Sequence, residues 1–177
     1  RTGLERLLTL VNDPEDYSSE IYGLGALLGN ELNKRIPGNT SCLLAATAED
    51  ADFLGRGIYD SVKQKHETKA AVFWNNHYQI AGGGSIAPVV HKFLEPGQKN
   101  CELLIIAKSI ISGSCVVRTN LLEVIESITP QKIFIVAPVM HAKSEASLRK
   151  EFPRSISDKF EFVVFATDSE RTETGEV

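Results

Sequence analysis

The chain has 177 residues, 42% of them hydrophobic and 24% charged, with a formal charge of −4 at pH 7. That length supports one good core with little room for two, so a single domain over residues 1–177 is expected. The negative balance excludes a broad attraction to nucleic acid or to an acidic membrane, and no apolar run has the length of a membrane span or the form of a signal peptide. A cytoplasmic protein is expected. The sequence begins at Arg1 without a methionine, and both ends are expected to continue. Cys42, Cys101 and Cys115 are odd in number and widely spaced, which fits neither a disulfide framework nor a zinc motif and points to buried thiols.

In chain order, Ile21, Leu24, Leu28 and Leu32 recur at helical spacing up to the stop at Pro37-Gly38. Gly23, Gly25 and Gly29 lie on or near that face, and their cost in helix propensity makes sense if another backbone packs closely there. Ser41 to Ala46 reads as a buried strand; an acidic, irregular stretch from Thr47 to Asp52 leads into a turn and helix over Phe53 to Val62, with Gly55 and Gly57 at its start. Lys69 to Trp74 is a third element, a strand. Residues Asn75 to Leu94 hold three consecutive glycines and Pro88 without periodicity, the pattern of a mobile flap or long hairpin.

Leu103 to Ala107 is too short for a helix and lacks alternation, so it reads as a strand buried on both faces. Ser112-Gly113-Ser114 ends that unit. From Cys115 the residues Val117, Leu121, Leu122 and Ile125 fall on one helical face. Lys132 to Ala137 is a further strand, Glu145 to Phe152 a helix stopped by Pro153, and Phe160 to Phe165 the last strand. Strands alternating with helices predict an α/β fold: a mostly parallel, doubly wound sheet of about five strands flanked by helices, with ligands at the carboxyl ends of the strands.

The strand-turn-helix at the centre puts the backbone amides of Ser112, Gly113, Ser114 and Cys115 at a helix N-terminus, where unpaired N–H groups and the helix dipole attract an anion such as phosphate. An ordinary turn without a ligand is the other reading. His66, His77, His91 and His141 have no metal-ligand spacing, and surface or capping roles are expected for them.

With the strands placed, the chain resembles a uracil phosphoribosyltransferase, of the type I phosphoribosyltransferase fold. That family has a strand ending in Asp-Pro-x-x-Ala-Thr-Gly-Gly-Ser/Thr, which holds the 5′-phosphate and ribose of phosphoribosyl pyrophosphate. Here Ile105 to Ser114 takes its place, one residue shorter, with Leu121-Leu122 in register. Ile133 to Pro138 resembles the next strand, Ala146 to Pro153 the next helix and stop, and Ala166 to Asp168 with Glu173-Thr174-Gly175 the last family segment. Leu54 to Asp60 is similar to Ala-Gly-Leu-Gly-x-x-Asp, and Ile86 to Val89 to the Leu-Glu-Pro-Val of the flexible hairpin. The resemblance implies a glycosyltransferase fold, a phosphate-binding loop, contacts to ribose or pyrophosphate from Lys108, Ser109, Arg56, Gly55 and Gly57, and a base pocket near Asp168. It implies no cofactor beyond Mg²⁺ accompanying phosphoribosyl pyrophosphate.

The departures point the other way. Displacing pyrophosphate passes through an oxocarbenium-like centre, which needs anionic groups near the ribose and cationic ones on the leaving group. The motif aspartate falls on Ala107, or on Lys108 if the alignment slips by one. The pyrophosphate-loop arginine falls on Phe53, and the hairpin arginine is absent from Trp74 to Tyr78. The uracil-reading loop would begin beyond Val177. Arg56 could compensate on the pyrophosphate, and Asp50 or Asp52 could supply a carboxylate or hold Mg²⁺; as alternatives these are a solvated cation and turn residues. Lys108 either binds a phosphate or marks a site kept for another purpose. Each lost donor or charge is worth roughly 3 kcal/mol in the transition state. The expectation is a pseudoenzyme: a nucleotide- or phosphate-binding or protein-interaction module, homo-oligomeric or part of an assembly, with no catalytic residues. The alternative is an active phosphoribosyltransferase making UMP from uracil and phosphoribosyl pyrophosphate, or another nucleotide-processing enzyme with a rearranged site.

Overall fold

A computed structural model describes residues 2–7, 9–10, 12–79 and 85–170. The glycines at 82–84, central to the expected flap, lie outside the described residues, as does the segment 171–177.

The N-terminal helices are α1 (Thr2–Leu7) and α2 (Pro14–Asn33). Asp13 caps α2, its carboxylate accepting the Asp16 N–H, and Pro14 occupies the first turn, where its missing N–H costs nothing. Then follow β1 (Cys42–Thr47), α3 (Ala48–Asp50), a π-helical stretch (Ala51–Gly55), α4 (Arg56–Val62) and β2 (Thr68–Asn75). After these come the short β3 (Tyr78–Gln79) and β4 (Ser85–Ile86), then β5 (Val89–Leu94), β6 (Leu103–Ala107), β7 (Ile110–Ile111) and α5 (Cys115–Ile125). The chain continues through β8 (Lys132–His141), α6 (Ser144–Lys150), α7 (Arg154–Ser157) and β9 (Phe160–Asp168).

The main sheet has seven strands rather than about five, in the order β5-β2-β1-β6-β8-β7 with β9 on the free side of β8. The five strands read from the sequence are its contiguous parallel set, β2-β1-β6-β8-β9. The two additional ones escape apolar-run reasoning for separate reasons. Strand β5 is an antiparallel edge whose residues are largely exposed, and β7 is only two residues long. The segment from 75 to 94 is thus not irregular throughout: β3 pairs with β4 as a small hairpin, and β5 returns along β2. Strand β8 outruns its predicted end at Ala137 and passes through Pro138. That residue, with no N–H to give, stands where the partner on one side changes from β6 to β7.

Both faces of the sheet are covered, so β6 is apolar at every position and β1 and β8 are apolar except at their ends. Leu43, Ala45, Leu104, Ile106 and Ile135 pack with Val117, Leu121 and Val124 of α5 and Leu148 of α6 on one face. Leu44, Ala46, Ile105, Phe134 and Val136 pack with Leu24, Leu28 and Leu32 of α2 and Ile58 of α4 on the other. Each buried Val, Leu, Ile or Phe among them contributes about 1.5–3 kcal/mol of transfer free energy. Helix α5 turns the expected face inward except at Leu122, which is exposed; Val124 takes the core position instead.

Helix α2 meets α4 through glycines. A Cβ on Gly25 would lie 2.2 Å from the Leu54 carbonyl oxygen, and one on Gly57 would lie 2.2 Å from the Tyr22 carbonyl oxygen. No side chain fits at such distances, so the backbones approach directly. Gly23, by contrast, has open space around it.

Candidate functional site

The strand order reverses between β1 and β6, whose next neighbours are β2 and β8 on opposite sides. In an open α/β sheet that reversal leaves a crevice beyond the carboxyl ends of the two strands, the usual seat of a ligand. Here it is filled from within. Asp50, only 5% exposed, lies three residues beyond the end of β1 and turns its carboxylate toward the loop after β6. Its Oδ1 accepts the Ser109 backbone N–H at 3.1 Å. Its Oδ2 accepts both the Thr47 hydroxyl and the Lys108 ammonium at 2.7 Å. Glu49, in contact with solvent, stands 3.4 Å from the same ammonium.

Lys108 is therefore a partner of the protein's own acids. Gly55 sits behind this turn, where a Cβ would approach the Asp50 carbonyl oxygen to 3.1 Å. It lets the chain return closely over the strand end, and it also lines the groove over β1 and β2. Asp52 is exposed to solvent. Asp50 is held by an ammonium, and no group of three or more His, Cys, Asp or Glu suited to a metal occurs among the described residues.

A second place at the same end of the sheet is open. Ser112, Gly113, Ser114 and Cys115 line a cavity of about 410 Å³ together with Ser85 of β4, Arg118 of α5 and His141, Lys143, Ser144, Ser147 and Glu151 from β8 and α6. Ser114 is the residue before α5, yet it does not cap the helix: its hydroxyl donates to Glu151 Oε1 instead. The N–H groups from Ser112 to Val117 consequently have no acceptor among the described residues, and the first backbone bond of the helix runs from the Arg118 N–H to the Ser114 carbonyl at 2.7 Å. Uncapped amides at the positive end of an eleven-residue helix attract negative charge.

Two cations stand near one carboxylate in this cavity. Arg118 Nε lies 3.2 Å from Glu151 Oε2, an ion pair without an aligned hydrogen bond, and exposed Lys143 has no acid partner among the described residues. His141, 6% exposed, accepts the Lys143 N–H at Nδ1 over 3.2 Å. In the neutral ring that bond assigns the proton to Nε2, which has no partner among the described residues. The half-buried Cys115 thiol donates to the Ser85 carbonyl at 3.2 Å, tying the β3–β4 hairpin to the helix.

The remaining site residues from the sequence fall elsewhere. Arg56 turns along α4, its Nε donating to Asp60 Oδ2 at 2.8 Å, beside a mostly apolar groove of about 350 Å³ over β1 and β2. Gly57 is consumed by the contact with α2. Asp168 ends β9 in register with His141, where its carboxylate accepts the Glu170 N–H at 2.8 Å and its carbonyl the Ala142 N–H. So the structure gathers Ser112 to Cys115 into one cavity and Lys108 with Ser109 around Asp50, and it leaves Arg56, Gly57 and Asp168 outside both. Arg118, Lys143 and Glu151 went unnoticed in the sequence, and His141, expected in a surface or capping role, is buried beside the cavity. The one available signal was Arg118, a cation one turn into the helix after the Ser-Gly-Ser turn. His141, Lys143 and Glu151 come from other elements and carry no motif.

No family model matches the sequence, and no curated protein is significantly similar to it. Solved structures do match in fold. The AQ2163 protein from Aquifex aeolicus superposes with a TM-score of 0.74 at 12% identity, covering 98% of this chain and 87% of its own. A hypoxanthine phosphoribosyltransferase from Staphylococcus aureus gives 0.56 at 13% identity over 87% of this chain and 76% of its own. An adenine phosphoribosyltransferase from Thermoanaerobacter pseudethanolicus gives 0.52 at 10% identity over 81% and 80%. With its parallel set of strands, its antiparallel edge and helices on both faces, the chain has the phosphoribosyltransferase-like fold.

Proposed function

We propose that this chain is a phosphoribosyltransferase-fold module that binds a nucleotide or a sugar phosphate at the first turn of α5 and no longer transfers phosphoribosyl groups. One observation carries the reading: of the two anion-receptive places at the carboxyl ends of the strands, the crevice is filled by Asp50 and the α5 cavity is open. Transfer needs a carboxylate for the ribose hydroxyls and free cations for pyrophosphate. Ala107, or Lys108 if the alignment slips by one, stands where the resemblance asks for the first, and the cations it offers for the second are both paired, Lys108 with buried Asp50 and Arg56 with Asp60 at the surface. Binding needs only donors, and the cavity holds uncapped amides, the His141 Nε2–H, Arg118 and Lys143.

The module is expected to act in the cytoplasm, alone or in an assembly. No helix among the described residues is long and apolar enough to cross a membrane. Trp74 and Phe93, 41% and 49% exposed on strands β2 and β5, give an assembly role its own support.

The test is titration calorimetry with orthophosphate, nucleoside monophosphates and phosphoribosyl pyrophosphate, beside a radiolabelled transfer assay with uracil and hypoxanthine, on a chain extended past Val177. Binding at millimolar concentration or tighter with no nucleotide formed is expected. The absence of any binding overturns the ligand site. Turnover near about one per second, well within the enzyme range, overturns the loss of transfer.

A further inference from the structure

We infer that the crevice between β1 and β6 is itself an oxyanion site, which the chain keeps occupied with its own Asp50 carboxylate. The inference rests on the closed crevice of the reading above and concerns the donors that close it. Three independent groups converge on one carboxylate that is 5% exposed: a backbone N–H from the loop after β6, a hydroxyl from the end of β1, and an ammonium. Both oxygens are satisfied, with contacts of 2.7, 2.7 and 3.1 Å. Donors so arranged suit a phosphate oxygen as well as a carboxylate oxygen, because each asks for charge-assisted hydrogen bonds from short-range N–H and O–H groups.

The location matters as much as the donor set. A buried salt bridge that only pins two loops could sit anywhere along the sheet, but this one sits at the strand-order reversal, where the fold leaves room for a ligand. Asp50 reaches it because α3 is a single turn and the following π-helical stretch folds back over the strand end. As part of the same chain, the carboxylate competes at the high effective concentration of an intramolecular partner. A free anion at millimolar concentration does not displace it. The ligand class of the vacated site is a small oxyanion, such as the phosphate group of a phosphate ester.

Chemical rescue tests this. Asp50→Ala is made in a Gly113→Asp background, so that any phosphate response of α5 is suppressed, and Tm is measured in chloride, orthophosphate and acetate. Asp50→Ala should melt below its parent in chloride and recover by several degrees in phosphate and in acetate, as expected when a ligand in excess of its Kd binds only the folded state. The parent with Asp50 intact, and Asp50→Ala combined with Lys108→Met, should show no such recovery. If Asp50→Ala does not fold in chloride, refolding yield replaces Tm, with rescue by either anion as the expected result. Equal responses in all three proteins, or equal failure to refold in chloride, phosphate and acetate, overturn the inference. A phosphate response lost between wild type and Gly113→Asp reports on the α5 cavity alone, so failure there is separable from failure here.

Discussion

The crevice between β1 and β6 and the first turn of α5 lie at the same end of one sheet, separated by the segment from Lys108 to Ser114 that holds β7, and both concentrate hydrogen-bond donors. In the crevice a buried carboxylate takes an N–H, a hydroxyl and an ammonium, leaving none over. At α5 the serine that should cap the helix has been drawn away by Glu151, and the amides face a cavity. The difference teaches that donor-rich geometry alone does not make a binding site. What decides is whether the chain supplies its own acceptor, and here it does so in one place through a residue three positions from a strand end.

The contrast can be broken most forcefully at its lysines. Lys108→Met leaves Asp50 buried without its counter-ion and should destabilise the fold by about 3–5 kcal/mol in urea unfolding. Lys143→Met, at an exposed position in the open cavity, should change stability by less than about 0.5 kcal/mol while weakening phosphate binding. Equal effects of the two on stability would erase the distinction between a filled and an open site.

Gly113→Asp brings a carboxylate to the amides of α5 and should reduce phosphate affinity at least about tenfold, the loss of one charged hydrogen bond, read by calorimetry. Thiol reactivity sharpens the comparison next. Burial pushes the Cys42 thiol up to about 12, with Cys101 and Glu102 adding to it, and burial pushes Cys101 up to about 11. Neither should react with a maleimide in the folded protein. Half-buried Cys115 lines the open cavity and should be the first to label, more slowly once a nucleoside monophosphate is bound. Labelling of Cys42 before Cys115, read by peptide mass mapping, would contradict the burial of β1.

The smallest effect tests a region remote from both sites. His66 is 5% exposed, neither ring nitrogen has a hydrogen-bond partner among the described residues, and burial, aided by Lys65, lowers its pKa from 6.5. The unfolded chain therefore binds this proton more readily than the folded one. The stability linked to His66 is complete above pH 6.5 and is lost as pH falls through 6.5 toward the lowered folded value. His66→Phe should flatten that part of the urea midpoint curve; an unchanged acid slope would show that the ring is neutral to the fold.

The central strands β1, β6 and β8 were legible because they are buried on both faces, where an unbroken apolar run such as Leu103 to Ala107 serves; β2 and β9, only partly buried, still carry short apolar runs. The α5 N-terminus was legible for a related reason: Ser112-Gly113-Ser114 is local, and local turn chemistry is written in adjacent residues. The glycines of α2 were legible in part. Gly25 and Gly29 do meet another backbone, while Gly23 on the same helix meets nothing, since which side of a helix faces its neighbour depends on where the neighbour lies. The exposed edge β5 could not be recognised from apolar content, because an edge strand owes its form to backbone pairing more than to burial.

The sequence by itself determined the layered α/β architecture, the parallel set and the turn at α5, all of which follow from periodicity and turn residues within a few positions of each other. Only the tertiary structure decided the states of the two sites. Lys108 reads alike in sequence whether it serves a ligand or Asp50, and 58 residues separate it from that carboxylate. Likewise nothing near Ser114 in the sequence shows that its hydroxyl goes to Glu151, which α6 brings to it across 37 residues. Hydrogen-bond competition is settled by distance and alignment within a few ångström, and contacts between elements so far apart along the chain come into being only when the sheet assembles.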